Sequence, residues 1–469
     1  MGTQVARLHR RATLSPLRAL RDPLAALAAA AATGDAPRLW LGPARVRLLA
    51  HPDAVREVLV ARQRDFRGLA FEAVRRIAGD GVLQAQGEAH RRQRRVLQPA
   101  FHRERLAAYG DVMVAHAARW ADARHEGETL ALREAMVALT LAIVGEALFG
   151  DADAAAVDDV RAYLDAGLAL FGPLTLPIAR WLDRLPLPAS RRFVRVRDRL
   201  DARIADMVAA RMADARAGQP PRDDLLAMLL GAREAERAAE AAAGDAPARE
   251  VRALDDRWVR DEIMTLVLAG HETTASALTW AWRLLAEHPE AEARLHAEVD
   301  ALGDRAPTMD DLARLPYTRA VFDEALRLHP TVPFVFRRAT TTVPLGDAAP
   351  GVTLRRGEVV LLSPWITQRD ARWWDAPEAF RPERWLDEPA RAARPRFAWF
   401  PFGGGARVCI GEHFATAEAV LILATIARRW RLRRAPDAPG DAPVRVDPLA
   451  PTRPPAGWRV RIEARMRAT

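Results

Sequence analysis

Residues 402–411 read Phe402-Gly403-Gly404-Gly405-Ala406-Arg407-Val408-Cys409-Ile410-Gly411, and they hold the only cysteine of a 469-residue chain. Consecutive glycines let the backbone take dihedrals that other residues avoid and approach a flat cofactor closely. An apolar helical pattern, Phe414 to Trp430, follows directly. Amide groups at the start of such a helix hydrogen-bond to a thiolate and lower its pKa, and a thiolate held there is a strong metal ligand. A lone buried cysteine is by default an inert small hydrophobe, so the flanking residues decide which reading applies.

Working outward, the chain is 50% hydrophobic and carries 70 basic against 61 acidic side chains. That composition excludes a disordered tail or a short disulfide-stapled scaffold. One cysteine excludes an internal disulfide and any multi-cysteine zinc or iron–sulfur site, and points to a reducing compartment. The net charge of +9 comes wholly from arginine, since the chain has no lysine. The arginines are spread singly along helix faces, which reads as a solvated surface and not as a nucleic-acid patch. A basic face can still steer an acidic protein partner.

Near the start, Leu24 to Ala32 is apolar but far short of the ~20 residues a membrane span requires. Arg10 and Arg11 precede it, yet Arg18, Arg21 and Asp22 sit badly in a cleaved signal. The expectation is a soluble, cytoplasmic protein with no transmembrane anchor.

Most of the chain has helical periodicity. The clearest run goes from Asp256 to Glu287 and is closed by Pro289, a helix of roughly 45 Å. Strand-like pieces are Leu39 to Leu49, Val352 to Leu362 and Val444 to Ile462. Residues 233–249, rich in Ala, Glu and Arg, read as a solvated helical spacer before the long helix. No internal repeat or Gly/Ser linker forces a boundary, so 1–469 reads as a single domain.

Phe, Gly, Arg, Cys and Gly at 402, 405, 407, 409 and 411 match Phe-x-x-Gly-x-Arg-x-Cys-x-Gly, the haem-thiolate loop of the cytochrome P450 family, which this chain resembles. The resemblance implies a mainly α fold with small β-sheets, a triangular helical domain enclosing haem b between a long distal helix and a Cys-bearing proximal loop. It implies Cys409 as the axial thiolate on haem iron, Arg407 as the partner of a haem propionate, and Phe402 packed beside the sulfur. Gly405 and Gly411 would give the loop room.

Ala269-Gly270-His271-Glu272-Thr273-Thr274, inside the long helix, resembles the family's Ala-Gly-x-Asp/Glu-Thr-Thr segment. By resemblance Glu272 and Thr273 relay protons to bound dioxygen on a locally opened helix turn. Taken alone, threonines in a helix return their hydroxyls to a carbonyl one turn earlier and the glutamate is surface. Thr274 reads as structural, and His271 as no metal ligand.

Glu324-Ala325-Leu326-Arg327 has a Glu-x-x-Arg spacing that also occurs at Glu72, Glu88, Glu234, Glu378 and Glu388. Context singles it out. Leu328-His329-Pro330 follows, and Phe380-Arg381-Pro382-Glu383-Arg384-Trp385 resembles the family's Pro-Glu-Arg-Phe stretch with Trp385 in place of Phe. The resemblance implies a buried network of Glu324, Arg327 and Arg384. Removing one partner of such a set costs about 3–5 kcal/mol.

Gly87 to Phe101 resembles the helix that contacts haem propionates, with His90 at the usual tryptophan position and Arg94 four residues on. Arg337, or Arg338 beside it, matches another propionate-binding position. Leu268, Ala269, Phe334, Val335 and Phe336 fall where the family lines its substrate pocket, with plain core packing as the alternative.

The function implied is a monooxygenase that inserts one atom of dioxygen into an apolar small molecule: a terpenoid, a fatty acid or a similar aliphatic. No Gly-x-Gly-x-x-Gly segment appears and 58 residues follow Gly411, so electrons are expected from a ferredoxin or flavodoxin with its NAD(P)H-dependent reductase. Arg428, Arg429, Arg103 and Arg105 are candidates for that docking face. Alternatives are a peroxide-using or rearranging haem-thiolate enzyme, a non-catalytic haem binder such as a gas sensor, and a basic nucleic-acid-binding protein.

Overall fold

Apolar residues three and four apart commit most of the chain to helix. The computed structural model describes residues 22–41, 44–69, 72–150, 154–171, 185, 187–220, 222, 224–243, 254–439, 444, 452–454 and 457–465. Its helices of nine residues or more are α1 (Pro23–Ala31), α2 (Gly87–Leu97), α3 (Arg103–Asp122), α4 (Leu132–Phe149), α5 (Ala154–Phe171), α6 (Pro188–Arg216), α7 (Leu225–Ala243), α8 (Asp256–Glu287), α9 (Pro289–Asp300), α10 (Pro316–Leu328) and α11 (Glu412–Ala427). The strands are β1 (Arg38–Leu41), β2 (Ala44–Leu49), β3 (Phe66–Gly68), β4 (Thr129–Ala131), β5 (Val335–Ala339), β6 (Val343–Pro344), β7 (Thr353–Leu354), β8 (Val359–Leu362), β9 (Trp430–Arg434) and β10 (Arg459–Ala464). The architecture is mainly α with small sheets.

The long helix α8 begins and ends at the residues its periodicity marks, 32 in all. Pro289 opens the next helix, because without an N–H it cannot extend the ladder of the one before. The described residues gather into two compact units, where the sequence offers no boundary: Met1–Leu69 with Ala121–Arg133 and Ala275–Thr469, and Ala70–Trp120 with Glu134–Thr274.

The first unit holds every strand found among the described residues. Its five-stranded sheet runs β1-β2-β8-β5-β3, with β2 and β8 parallel from Val46↔Val359 to Leu49↔Leu362. All four β8 residues are buried, as strands covered on both faces require. A second sheet has the order β4-β10-β9. Helix α11 is mostly apolar and runs through the core, with every residue from Thr416 to Ala427 buried, Glu418 among them. Helix α1 is a single short element: Asp22 accepts from the Ala25 amide at 2.9 Å, and Leu24, Ala26, Leu27 and Ala30 are buried. No helix among the described residues is long and apolar enough to cross a membrane.

One strand and one helix expectation need correction. Val352 to Leu362 divides between β7 and β8, which lie in different sheets. The helical pattern stops at Ala427 and Trp430 begins β9, where buried Trp430 and Leu432 alternate with Arg431 and Arg433. Much of Val444 to Ile462 lies outside the described residues.

The second unit is helical. Helices α5 and α6 pack together, with Tyr163 stacked on Phe193 at 5.3 Å. The loop before α2 is strapped to α8: the Asp80 amide donates to Asp261 at 2.9 Å and the Val82 amide to Glu262 at 3.0 Å. Within 233–249, residues to Ala243 are helical in α7, and 244–249 lie outside the described residues. The solvated reading fails for Arg233 and Glu236, both buried. Arg233 donates to Asp256 at 2.5 Å, and Arg92 of α2 pairs with Glu236, so ion pairs draw this stretch inward.

Candidate active site

In the first unit the Cys409 loop folds back on itself. The Cys409 amide donates to the Phe402 carbonyl at 2.9 Å, and the Val408 amide to that of Gly405 at 3.1 Å. Cys409 is in no disulfide and is exposed. Gly405 has φ +68°, and a Cβ there would fall 1.8 Å from the Leu59 carbonyl oxygen and 2.9 Å from Oε1 of Gln63. No other residue fits. The Gln63 side chain also accepts from the Ala406 amide at 2.7 Å, so the turn is braced from a segment 343 residues away. Gly411 caps α11 at φ −92°, a backbone open to any residue. Phe402 is half-buried, edge-on to Trp399 at 6.4 Å.

Arg337 on β5 is half-buried, while Arg338 is exposed, as successive strand residues point to opposite faces. Burial first, then the positive charge of Arg407, holds the Arg337 guanidinium down to about 10. Among the described residues no acid pairs with Arg337, which donates only to the Phe336 carbonyl at 2.9 Å.

Behind the loop lies the ion network. Glu324 and Arg327, on α10, have no exposed surface, whereas the pairs at Glu88, Glu234 and Glu388 are solvated. Arg327 grips Glu324 through Nε at 2.8 Å and Nη2 at 3.0 Å; Arg384 donates through Nε at 3.0 Å. The Arg381 amide and the Trp385 indole complete the set. Arg327 also donates to the Gln368 carbonyl at 2.9 Å, and the Gln368 side chain accepts from the Phe400 amide at 3.0 Å. That chain of contacts ties the network to the start of the Cys409 loop.

In the second unit, Glu272 is buried and Thr273 half-buried on α8. The helix is uninterrupted, so the expected opened turn is absent. The hydroxyls of Thr273 and Thr274 bond the carbonyls of Ala269 and Gly270 at 2.8 and 3.2 Å without displacing the helical ladder. Buried His271 turns Nδ1 to the Val267 carbonyl at 2.6 Å. Leu268 is half-buried and Ala269 exposed beside buried Leu266, Val267 and His271, so this face of α8 stays open.

On α2, His90 is buried and Arg94 half-buried. Phe334, Val335 and Phe336 do not face one way: both phenylalanines pack on the Leu39–Leu48–Leu361 side of the sheet and Val335 on the Leu49–Val360 side. Strand alternation separates them. One docking candidate needs correction: Arg428 is buried and donates to the carbonyls of Gly303 and Asp304. Arg429 is exposed, in a surface pair with Asp122. Arg103 is exposed and Arg105 half-buried. Sequence reasoning missed Leu59 and Gln63, whose distance along the chain hides them, and the donor role of Trp385, visible only as a departure from the family pattern.

A lone exposed thiol on a glycine-braced turn, with the Arg337 guanidinium feeling the charge of Arg407, fits a thiolate-ligated metal cofactor that bears acid groups. The comparisons with known proteins agree. The family model described as "Cytochrome P450" matches residues 25–451. Cyclooctatin synthase of Streptomyces melanosporofaciens is 39% identical over 449 residues, 92% of this chain and 92% of that protein. Cyclooctat-9-en-7-ol 5-monooxygenase of the same organism is 37% identical over 89% of this chain and 86% of its own. Pentalenene oxygenase of Streptomyces avermitilis is 35% identical over 95% and 94%. With its braced cysteine loop and a family match across nearly its whole length, the chain belongs to the cytochrome P450 family.

Proposed function

We propose that this haem-thiolate monooxygenase oxidises an apolar terpenoid, with Cys409 as the metal ligand and Glu272 and Thr273 as the proton-passing pair. Thiolate-bound haem supplies the reductive activation of dioxygen. The protein's own residues orient, hold and protonate. Arg337 and Arg407 would bind propionates, with Arg94 and His90 of α2 adding a further contact. The Thr273 hydroxyl gives its one hydrogen to the Ala269 carbonyl, which leaves its oxygen lone pairs as acceptors on the open face of α8. An acid next to such a hydroxyl can pass a proton along it.

The observation that carries the reading is the Gly405 brace, which fixes an exposed thiol where only glycine is tolerated. The terpenoid class is supported by the names of the relatives, matched over most of their length. Electrons would come from an acidic ferredoxin or flavodoxin with its NAD(P)H-dependent reductase, a partner suited to a chain of net charge +9, in the cytoplasm. A spin-state titration against terpenes and fatty acids tests the substrate class. Low-to-high-spin conversion by a polycyclic terpene, followed by hydroxylated product when ferredoxin and reductase are added, is expected. Conversion by fatty acids alone, or turnover by peroxide alone, would overturn it.

A further inference from the structure

Thr140 lies wholly buried on α4. Its hydroxyl stands 3.0 Å from the Met136 carbonyl and 3.4 Å from that of Val137 in its own helix, and 3.0 Å from the His271 carbonyl of α8. It has one hydrogen to give. A threonine inside a helix ordinarily returns that hydrogen to its own backbone, but here a second helix offers an acceptor at equal distance. The helices are close at Gly270: a Cβ there would lie 3.1 Å from Cγ2 of Val144, one turn along α4 from Thr140, a tight contact. The His271 carbonyl belongs to the peptide unit whose nitrogen is that of Glu272. The imidazole of His271, held at 2.6 Å from the Val267 carbonyl, pins the same residue from its other side.

We propose that Thr140 is a positioning residue for the proton-passing turn. By donating to the His271 carbonyl it fixes the His271–Glu272 peptide, and so the directions in which the Glu272 and Thr273 side chains leave α8. A carbonyl has two lone pairs, so this donor adds to the helical N–H and does not replace it. The inference rests on the assignment of Glu272 and Thr273 as the proton-passing pair. Thr140 acts through the backbone alone, which explains why nothing in its sequence neighbourhood points to it.

The test compares Thr140→Val, which keeps shape and removes the donor, with Thr140→Ser, which restores it; Thr140→Ala replaces the valine variant if that one does not fold. All are haem-loaded and must give a full-intensity carbon monoxide band. In protein carrying carbonyl-¹³C histidine, the infrared difference between wild type and Thr140→Val should show one histidine carbonyl band moving to higher frequency, and Thr140→Ser should show none. With electrons from a plant-type ferredoxin and its reductase and no substrate added, the ratio of peroxide to water formed from the dioxygen consumed should rise about fivefold in Thr140→Val, the factor one lost hydrogen bond gives. The rise should be absent in Thr140→Ser and add nothing to that of Thr273→Ala. An unmoved carbonyl band, an unchanged ratio beside a raised one for Thr273→Ala, or additive effects would overturn the role of Thr140 and leave the proton-passing pair standing. An unchanged ratio in Thr273→Ala would overturn the pair itself, and the role of Thr140 with it.

Discussion

The indole Nε1 of Trp385 donates to Oε2 of Glu324 at 3.0 Å, inside a network in which that carboxylate has no exposed surface. The family pattern has phenylalanine at this position, so the chain has added a neutral donor to a carboxylate already held by two arginines. Trp385→Phe should keep the fold and lose about 1.5–3 kcal/mol, one hydrogen bond to a charged acceptor. Glu324→Gln, which leaves two buried guanidiniums without their anion, should lose about 3–5 kcal/mol and fail to retain haem. Urea denaturation of the two variants checks both values.

Gly405 and Gly411 occupy equivalent places in the family pattern but not in the structure. Gly405→Ala drives a methyl group into the Leu59 carbonyl and should abolish the thiolate-type carbon monoxide band. Gly411→Ala, at φ −92°, should keep that band at near wild-type intensity. Spectra of the two purified variants are the check.

The neighbouring arginines of β5 separate in the same way. Arg337→Gln should speed haem loss to apomyoglobin by about tenfold, since a charge-assisted bond to a propionate is removed. Arg338→Gln, exposed on the other face, should leave the rate within about twofold of wild type.

How far the sequence reaches depends on the range of the interaction. The span of α8 was legible because periodicity and a terminal proline are local signals. The cysteine loop was legible for the same reason. Short strands such as β3 and β5 were not, because pairing partners far along the chain decide them, and Phe336 faces the core on account of β8. The uninterrupted α8 contradicts the opened turn, since hydroxyl–carbonyl bonding within a helix leaves no trace in composition. Gln63 and Thr140 carry no motif. Each matters through one contact to a residue more than a hundred positions away.

His296 on α9 gives a prediction in pH. It is 3% exposed, neither ring nitrogen has a hydrogen-bond partner, and burial, then Arg465, Arg431 and Arg433 against Asp300, hold it down to about 3. The unfolded chain therefore takes up the proton first as pH falls. Stability is unaffected above the ordinary histidine value of about 6.5 and is lost below it, by ~2 kcal/mol between pH 7 and pH 5. His296→Leu should lose about that much less than wild type over the same interval. Urea midpoints at the two pH values measure the difference, and equal losses would remove His296 from the acid response.

The proposed ligand of the iron is the sulfur of Cys409. The most direct measurement is the dithionite-reduced carbon monoxide spectrum of wild type and Cys409→Ser. The wild-type protein should show the red-shifted Soret band of thiolate ligation and the variant should lack it. An unshifted band in the wild-type protein, or the red-shifted band surviving in Cys409→Ser, would contradict the assignment.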